Sequence, residues 1–281
     1  MKKIIRVFPT KTSFTPADDY AFYGPPPIDE LIPGHDEIHI SCIFTWDVKN
    51  ADWLAYQWEC RTDKPVKCGG PAYDSPAEDF TQGLYLKPNI IFTSRGCNNA
   101  CPWCRVSERE GKIRELPVYH GNIIQDNNFL QTSRAHKVKV FDMLRTQSGI
   151  CFKGGLQTDL VDDHFVENIT SLRISELWLA CDTDDALPKF KRAAAMLVKA
   201  GFTREKIKCY ALIGDDINKN EARLQMIYEA GAMPFAMLYR DFTDTKTQYN
   251  GDWNKFARMW QRPAAIRSHM EKGTEFKDFK S

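Results

Sequence analysis

The sequence predicts an α/β protein: a partial, TIM-like (β/α)6 barrel preceded by a small α/β, reduced Rossmann-like region. Three observations predict it. Six short runs rich in β-branched and aliphatic residues follow one another from about residue 88. Amphipathic helical patterns separate them, the alternation that produces βα units and a parallel sheet. The first 84 or so residues differ in texture, with strand-like and helix-like segments set among Pro- and Gly-rich loops.

In the N-terminal region, Ile4–Phe8 and Glu37–Phe44 read as strands and Ala51–Glu59 as a helix. Gly24-Pro25-Pro26-Pro27 and Gly69-Gly70-Pro71 read as the loops between them. The polar stretch Asp74–Gly83 is the expected boundary, dividing the chain into 1–84, 85–250 and 251–281. Strands are expected at Asn89–Thr93, Asn122–Gln125, Ile150–Lys153, Glu176–Cys181, Lys206–Ile213 and Met233–Tyr239. Leu187, Phe190, Ala194, Leu197 and Val198 share one helical face, and Gly201 stands where a helix-terminating glycine belongs. Leu224, Ile227 and Tyr228 repeat the pattern before Gly231, and Leu160, Phe165, Ile169 and Leu172 do so less regularly. Near the end, Trp253, Phe256 and Trp260 give a short helix an aromatic face for packing on the barrel, followed by Pro263 and a charged tail.

Composition narrows the function classes. The 38 Lys and Arg residues against 37 Asp and Glu leave a net charge of +1, without the basic excess that phosphate neutralisation calls for, so bulk nucleic acid is disfavoured as a partner. The apolar start after Lys2 and Lys3 is broken by Arg6 and stops at Pro9, too short for a signal-peptide core. No run approaches the roughly 18 apolar residues of a membrane span. A cytoplasmic location is expected. There, nine cysteines point to metal binding and buried thiols rather than to a disulfide framework.

The chemistry concentrates in Ile90-Ile91-Phe92-Thr93-Ser94-Arg95-Gly96-Cys97-Asn98-Asn99-Ala100-Cys101-Pro102-Trp103-Cys104, where a buried strand runs into a C-x3-C-x2-C loop. Three thiolates on one short loop can each take a different iron of a cubane cluster. With no fourth cysteine nearby, one iron stays open to a further ligand. Other readings fit less of the pattern. Cys101-Pro102-Trp103-Cys104 alone has redox-motif spacing, but Cys97 has no place in that motif. His120 and His136 are not spaced to complete a zinc knuckle, and three unrelated core cysteines would not fall at these intervals.

The cysteine loop, with an aromatic before its last cysteine, resembles that of the radical S-adenosylmethionine (SAM) superfamily. The likeness extends over roughly residues 88 to 250, mostly as topology. It implies a [4Fe–4S] cluster on Cys97, Cys101 and Cys104, SAM as co-substrate, an electron donor such as flavodoxin or ferredoxin, and a 5′-deoxyadenosyl radical acting on a substrate the sequence does not name. The alternative is a non-catalytic iron–sulfur protein for electron transfer or sensing. Carried over by position, the resemblance puts Trp103 near the adenine and Asp126 and Asn127 near the SAM amino group, though the usual Gly-Gly-Glu is missing. Gly154 and Gly155 would let the backbone approach a ligand, and Gln157 would meet the SAM carboxylate or the substrate. Asp182 would meet the ribose and Gly214 the adenine. Arg240 is a candidate for a substrate anion. Cys181, at a strand end, is a candidate hydrogen-atom donor, whereas Cys151 and Cys209 are expected in the core.

Ser41–Asp47 and Gly69-Gly70-Pro71-Ala72 resemble the N-terminal domain of superfamily members with a cobalamin-binding fold. His35 and His39 do not form the Asp-x-His-x-x-Gly of the cobalt ligand, so a remnant without cobalamin is expected. Cys42, Cys60 and Cys68 match a second cluster's three cysteines in number but not in spacing, and buried or half-exposed thiols are the plainer expectation.

Overall fold

The structure, a computed structural model, describes residues 2–73, 80–240 and 249–276. The chain forms two compact units, Met1–Ile91 with Val106–Gly111, and Phe92–Arg105 with Lys112–Ser281. Part of the boundary expected at Asp74–Gly83 lies outside the described residues. Among the described residues no helix is long and apolar enough to cross a membrane.

The first unit is built on four parallel strands, β1 (Ile4–Phe8), β2 (Ala21–Tyr23), β3 (Glu37–Ser41) and β4 (Val66–Gly69), in the order β2-β1-β3-β4. Helix α1 (Val48–Glu59) links β3 to β4 and buries Ala51, Leu54 and Trp58. These pack with Ile5, Val7, Ile38, Ile40 and Cys42 of the sheet. The short strand β5 (Ile90–Ile91) and helix α2 (Val106–Glu110) also belong to this unit. The sequence reading missed β2 and β4 because neither carries a buried apolar alternation: no residue of either is fully buried.

On this sheet Glu37 is shielded and takes three cationic or polar neighbours: Lys2, Lys67 Nζ at 2.7 Å and His39 Nε2 at 3.1 Å. Lys2, then Lys67, then His39 stabilise the carboxylate and hold its pKa down to about 2, against an ordinary 4.5. A carboxylate depressed on folding contributes stability above its ordinary pKa and loses it as pH falls through the folded value. The urea midpoints of wild type and Glu37→Gln will therefore differ above pH 4.5 and converge toward pH 2. A gap that stays constant across that range would remove the carboxylate from the argument.

In the second unit, β6 (Ser94–Arg95) pairs antiparallel with β7 (Arg114–Glu115). Then come β8 (Ile123–Ile124), β9 (Ile150–Leu156), β10 (Ile174–Ala180), β11 (Ile207–Ile213) and β12 (Met233–Leu238). These five are parallel neighbours in chain order, without the reversal of a doubly wound sheet. All six predicted strands thus form as strands. Helices α3 (Arg134–Leu144), α4 (Asp163–Thr170), α5 (Leu187–Lys199) and α6 (Ile217–Glu229) connect β8 through β12. The fold is α/β with parallel strands.

The apolar stripes face the core as their spacing requires. On α5 the buried set is Leu187, Phe190, Ala193, Ala194 and Leu197, with Ala193 inside and Val198 out. Leu224, Ile227 and Tyr228 are buried on α6, and Phe165 and Ile169 on α4, whereas Leu160 is exposed. Gly201 and Gly231 both sit at positive φ just past α5 and α6, where a side chain would be strained. Phe152 of β9 meets Phe129 at 5.2 Å and Phe165 at 6.0 Å, and Phe141 of α3 meets both, knitting three elements into one aromatic core. Helix α7 (Gly251–Met259) carries the predicted aromatic face, with Phe256 and Trp260 buried. Ala236 of β12 donates its N–H to Trp260 O at 3.1 Å, tying α7 to that strand. Pro263 does not end the helical region; it opens α8 (Pro263–Lys272), since proline at a first helical position forfeits no intrahelical hydrogen bond.

Candidate functional site

The segments after β8, β9, β10, β11 and β12 lie at the C-terminal ends of parallel strands, and the cysteine loop follows β6. Side chains there can converge without disturbing the sheet, which is why α/β proteins build sites at this end. The loop is braced from below. Buried Asp126 accepts the Thr93 N–H and hydroxyl, each at 2.6 Å, and the Ser94 hydroxyl at 2.7 Å. Asn127 Oδ1 accepts the Gly96 N–H at 3.0 Å. In the structure Asp126 and Asn127 hold the strand that feeds the loop. The close approach at Gly154 is to the protein itself, because a Cβ there would overlap the carbonyl oxygen of Asp126. Gly155, at φ +91°, has open space beside it.

Above the brace stands a network of side-chain amides. Gln157 Oε1 accepts from Asn99 Nδ2 at 3.0 Å, Asn128 Nδ2 at 2.7 Å and Gln131 Nε2 at 2.8 Å. Gln131 Oε1 accepts the Asn98 N–H at 2.7 Å, and Gln131 Nε2 also reaches Asn99 Oδ1 at 3.1 Å. Gln157 thus stands beside the cysteine loop, and its carbonyl oxygen serves the loop. Asn128, Gln131 and Asn99 were missed. Their only signal was a local excess of amides in Asn98-Asn99 and Asn127-Asn128, which does not say which of them meet.

Cys97, Cys101 and Cys104 are half-buried and reduced. A turn closes the second interval, with the Cys104 N–H donating to Cys101 O at 3.0 Å. Burial pushes the Cys101 thiol up, and the neighbouring Cys104 and Cys97 add to it. Among the described residues no group of three or more His, Cys, Asp or Glu side chains is arranged to hold a metal ion. A cubane cluster makes a different demand from a single ion, because each thiolate takes a different iron and the sulfurs stay apart.

Beside the loop lies a cavity of about 540 Å³ lined by Pro102 and Trp103, by Asp182 and Asp184 after β10, by Gly214 after β11, and by Lys219, Arg223 and Tyr239. Three predicted residues, Trp103, Asp182 and Gly214, thus meet in one hollow. Burial pushes the Asp182 carboxyl up, opposed by the Leu212 N–H at 3.0 Å, the Trp103 indole and the Arg223 charge. Gly214 sits at φ +151°, where a side chain would run into Tyr249. Arg223 is buried and held by Asp184 Oδ1 at 2.9 Å, Leu212 O at 2.6 Å and Asn220 Oδ1 at 2.7 Å. Its signal was legible: Asn220 and Arg223 fall on the buried stripe of Leu224 and Ile227, a polar intrusion into an apolar face.

Cys181 is corrected outright. Alternation along β10 puts it with Leu177 and Leu179 on the buried side, while Asp182 turns to the cavity. Its thiol is fully buried, and burial pushes it up to about 12. Cys151 and Cys209 are buried, as expected for core thiols. Cys42 is also buried, whereas Cys60 and Cys68 are exposed. No protein-family model matches the chain, and no curated protein or solved structure matches it.

Proposed function

We propose that the chain is a radical SAM enzyme. Its parallel strands would form part of a partial (β/α)6 barrel, and Cys97, Cys101 and Cys104 would hold a [4Fe–4S] cluster. The observation that carries this reading is the C-x3-C-x2-C loop beside a polar cavity at the strands' C-terminal ends. The donor set suits the group: three thiols on one half-buried loop, with N–H donors aimed at Cys97. Cys97, Cys101 and Cys104 would hold the cluster, whose chemistry there would be one-electron reductive cleavage of SAM with a ferredoxin- or flavodoxin-type protein as electron donor.

The chain's own residues bind and orient the co-substrate. Asn128 is buried, and its Oδ1 has no hydrogen-bond partner among the described residues. An orphaned buried acceptor costs about 1–3 kcal/mol, which a ligand ammonium would relieve. Asp182 offers a carboxylate to ribose hydroxyls, and Trp103 with the bare backbone of Gly214 gives a flat edge for adenine.

The test is anaerobic reconstitution with iron, sulfide, reductant and SAM, followed by assay for 5′-deoxyadenosine. A cluster that forms without cleaving SAM would favour electron transfer or sensing instead. Asp182→Asn keeps an acceptor for the Leu212 N–H but removes the charge. It will weaken SAM binding about tenfold, the loss of roughly one charge-assisted hydrogen bond, at unchanged iron content. Unaltered affinity by equilibrium dialysis would remove Asp182 from the binding site.

A further inference from the structure

The hydrogen bonds to sulfur in the cysteine loop converge on Cys97. The Asn99 N–H reaches its Sγ at 3.4 Å and Asn128 Nδ2 at 3.7 Å. The first comes from the loop itself and follows from its turn. The second crosses from the segment after β8, more than thirty residues away in sequence, and is an independent element of construction. Asn128 is buried, so its amide exchanges no partners with water.

Its orientation is enforced. One Nδ2 hydrogen is committed to Gln157 Oε1 at 2.7 Å, leaving the other for Cys97. Gln157 Oε1 is in turn fixed by Asn99 and Gln131. Turning the Asn128 amide over would set its oxygen against that of Gln157, an oxygen–oxygen clash inside a buried network. The sulfur therefore faces a donor, held by a residue that does not touch the sulfur.

A donor at a ligating thiolate stabilises electron density on sulfur and so favours the more negative, reduced state of whatever the thiolate binds. We propose that Asn128 raises the reduction potential of the cluster through its N–H···S bond to Cys97, with Gln157 as the positioning residue. This rests on the reading of Cys97, Cys101 and Cys104 as cluster ligands.

The measurement is the midpoint potential of the reconstituted chain, followed by electron paramagnetic resonance during redox titration, with iron and sulfide counted per chain. Asn128→Ala removes the donor. At a fixed applied potential its ratio of reduced to oxidised cluster should fall about tenfold, which for one electron is a shift of about 59 mV to the negative side. Gln157→Ala frees Asn128 to turn and should shift the potential the same way by less. Asn128→Asp replaces the donor with a carboxylate and should shift it furthest. Should Asn128→Ala fail to fold or to load, Gln157→Ala and Asn128→Asp carry the same comparison. A full cluster with an unmoved potential in these variants overturns the proposal and leaves the ligand assignment standing. A wild-type chain that builds no four-iron cluster overturns both.

Discussion

Cys97→Ala, reconstituted anaerobically with iron and sulfide, will carry no stable four-iron cluster, and its 5′-deoxyadenosine formation will fall below detection. The same holds for Cys101→Ala and Cys104→Ala. Three protein ligands are the minimum that leaves only one iron open, and losing any one exposes a second iron to solvent. Of the other six cysteines, Cys42, Cys151, Cys181 and Cys209 are buried, and Cys60 and Cys68 lie outside the three-cysteine loop. The matching control is Cys68→Ala, an exposed thiol outside the loop, which should load iron as the wild type does. Iron and sulfide counts with the visible charge-transfer band check the series. A Cys97→Ala chain with four irons and a normal spectrum would end the ligand assignment. Equal losses in Cys68→Ala would point to a damaged fold instead.

Strands β5 and β8 to β12 and the cysteine loop were legible because each is a local pattern. Runs such as Ile207–Ile213 are bounded by turns and alternate with helical stripes, and three cysteines at fixed intervals need no tertiary information. What escaped was either too short or too distant. Strands β2 and β4 draw their stability from neighbours rather than from their own residues, and α8 hid behind a proline that starts a helix instead of stopping one. The amide network joins residues 99, 128, 131 and 157, whose meeting depends on the parallel order of the sheet. Cys181 is a different kind of miss. Leu177, Leu179 and Cys181 share a parity, so its burial could be counted from Glu176–Cys181 without coordinates.

Gly154→Ala tests whether the brace beneath the loop is as rigid as its hydrogen bonds imply. A Cβ at Gly154 would overlap the carbonyl oxygen of Asp126 and crowd its carbon and amide nitrogen. All three are backbone atoms, so no rotamer change makes room, and β8 and β9 would have to part. Forced overpacking costs roughly 1–3 kcal/mol, and a site where only backbone can yield belongs at the upper end. For a unit of this size that is a fall of roughly 6–12 °C in melting temperature. Gly155→Ala is the informative companion. It has open space but sits at φ +91°, so it bears backbone strain alone, about 1–2 kcal/mol. Melting curves should rank Gly154→Ala below Gly155→Ala, and the reverse order would show that left-handed backbone outweighs the carbonyl contact. The two should also part in iron loading. Displacing Asp126 loosens Thr93 and Ser94, the residues that deliver Cys97 to its position, so Gly154→Ala should lose iron faster than its melting temperature alone predicts. Gly155→Ala leaves that brace in place and should hold its iron.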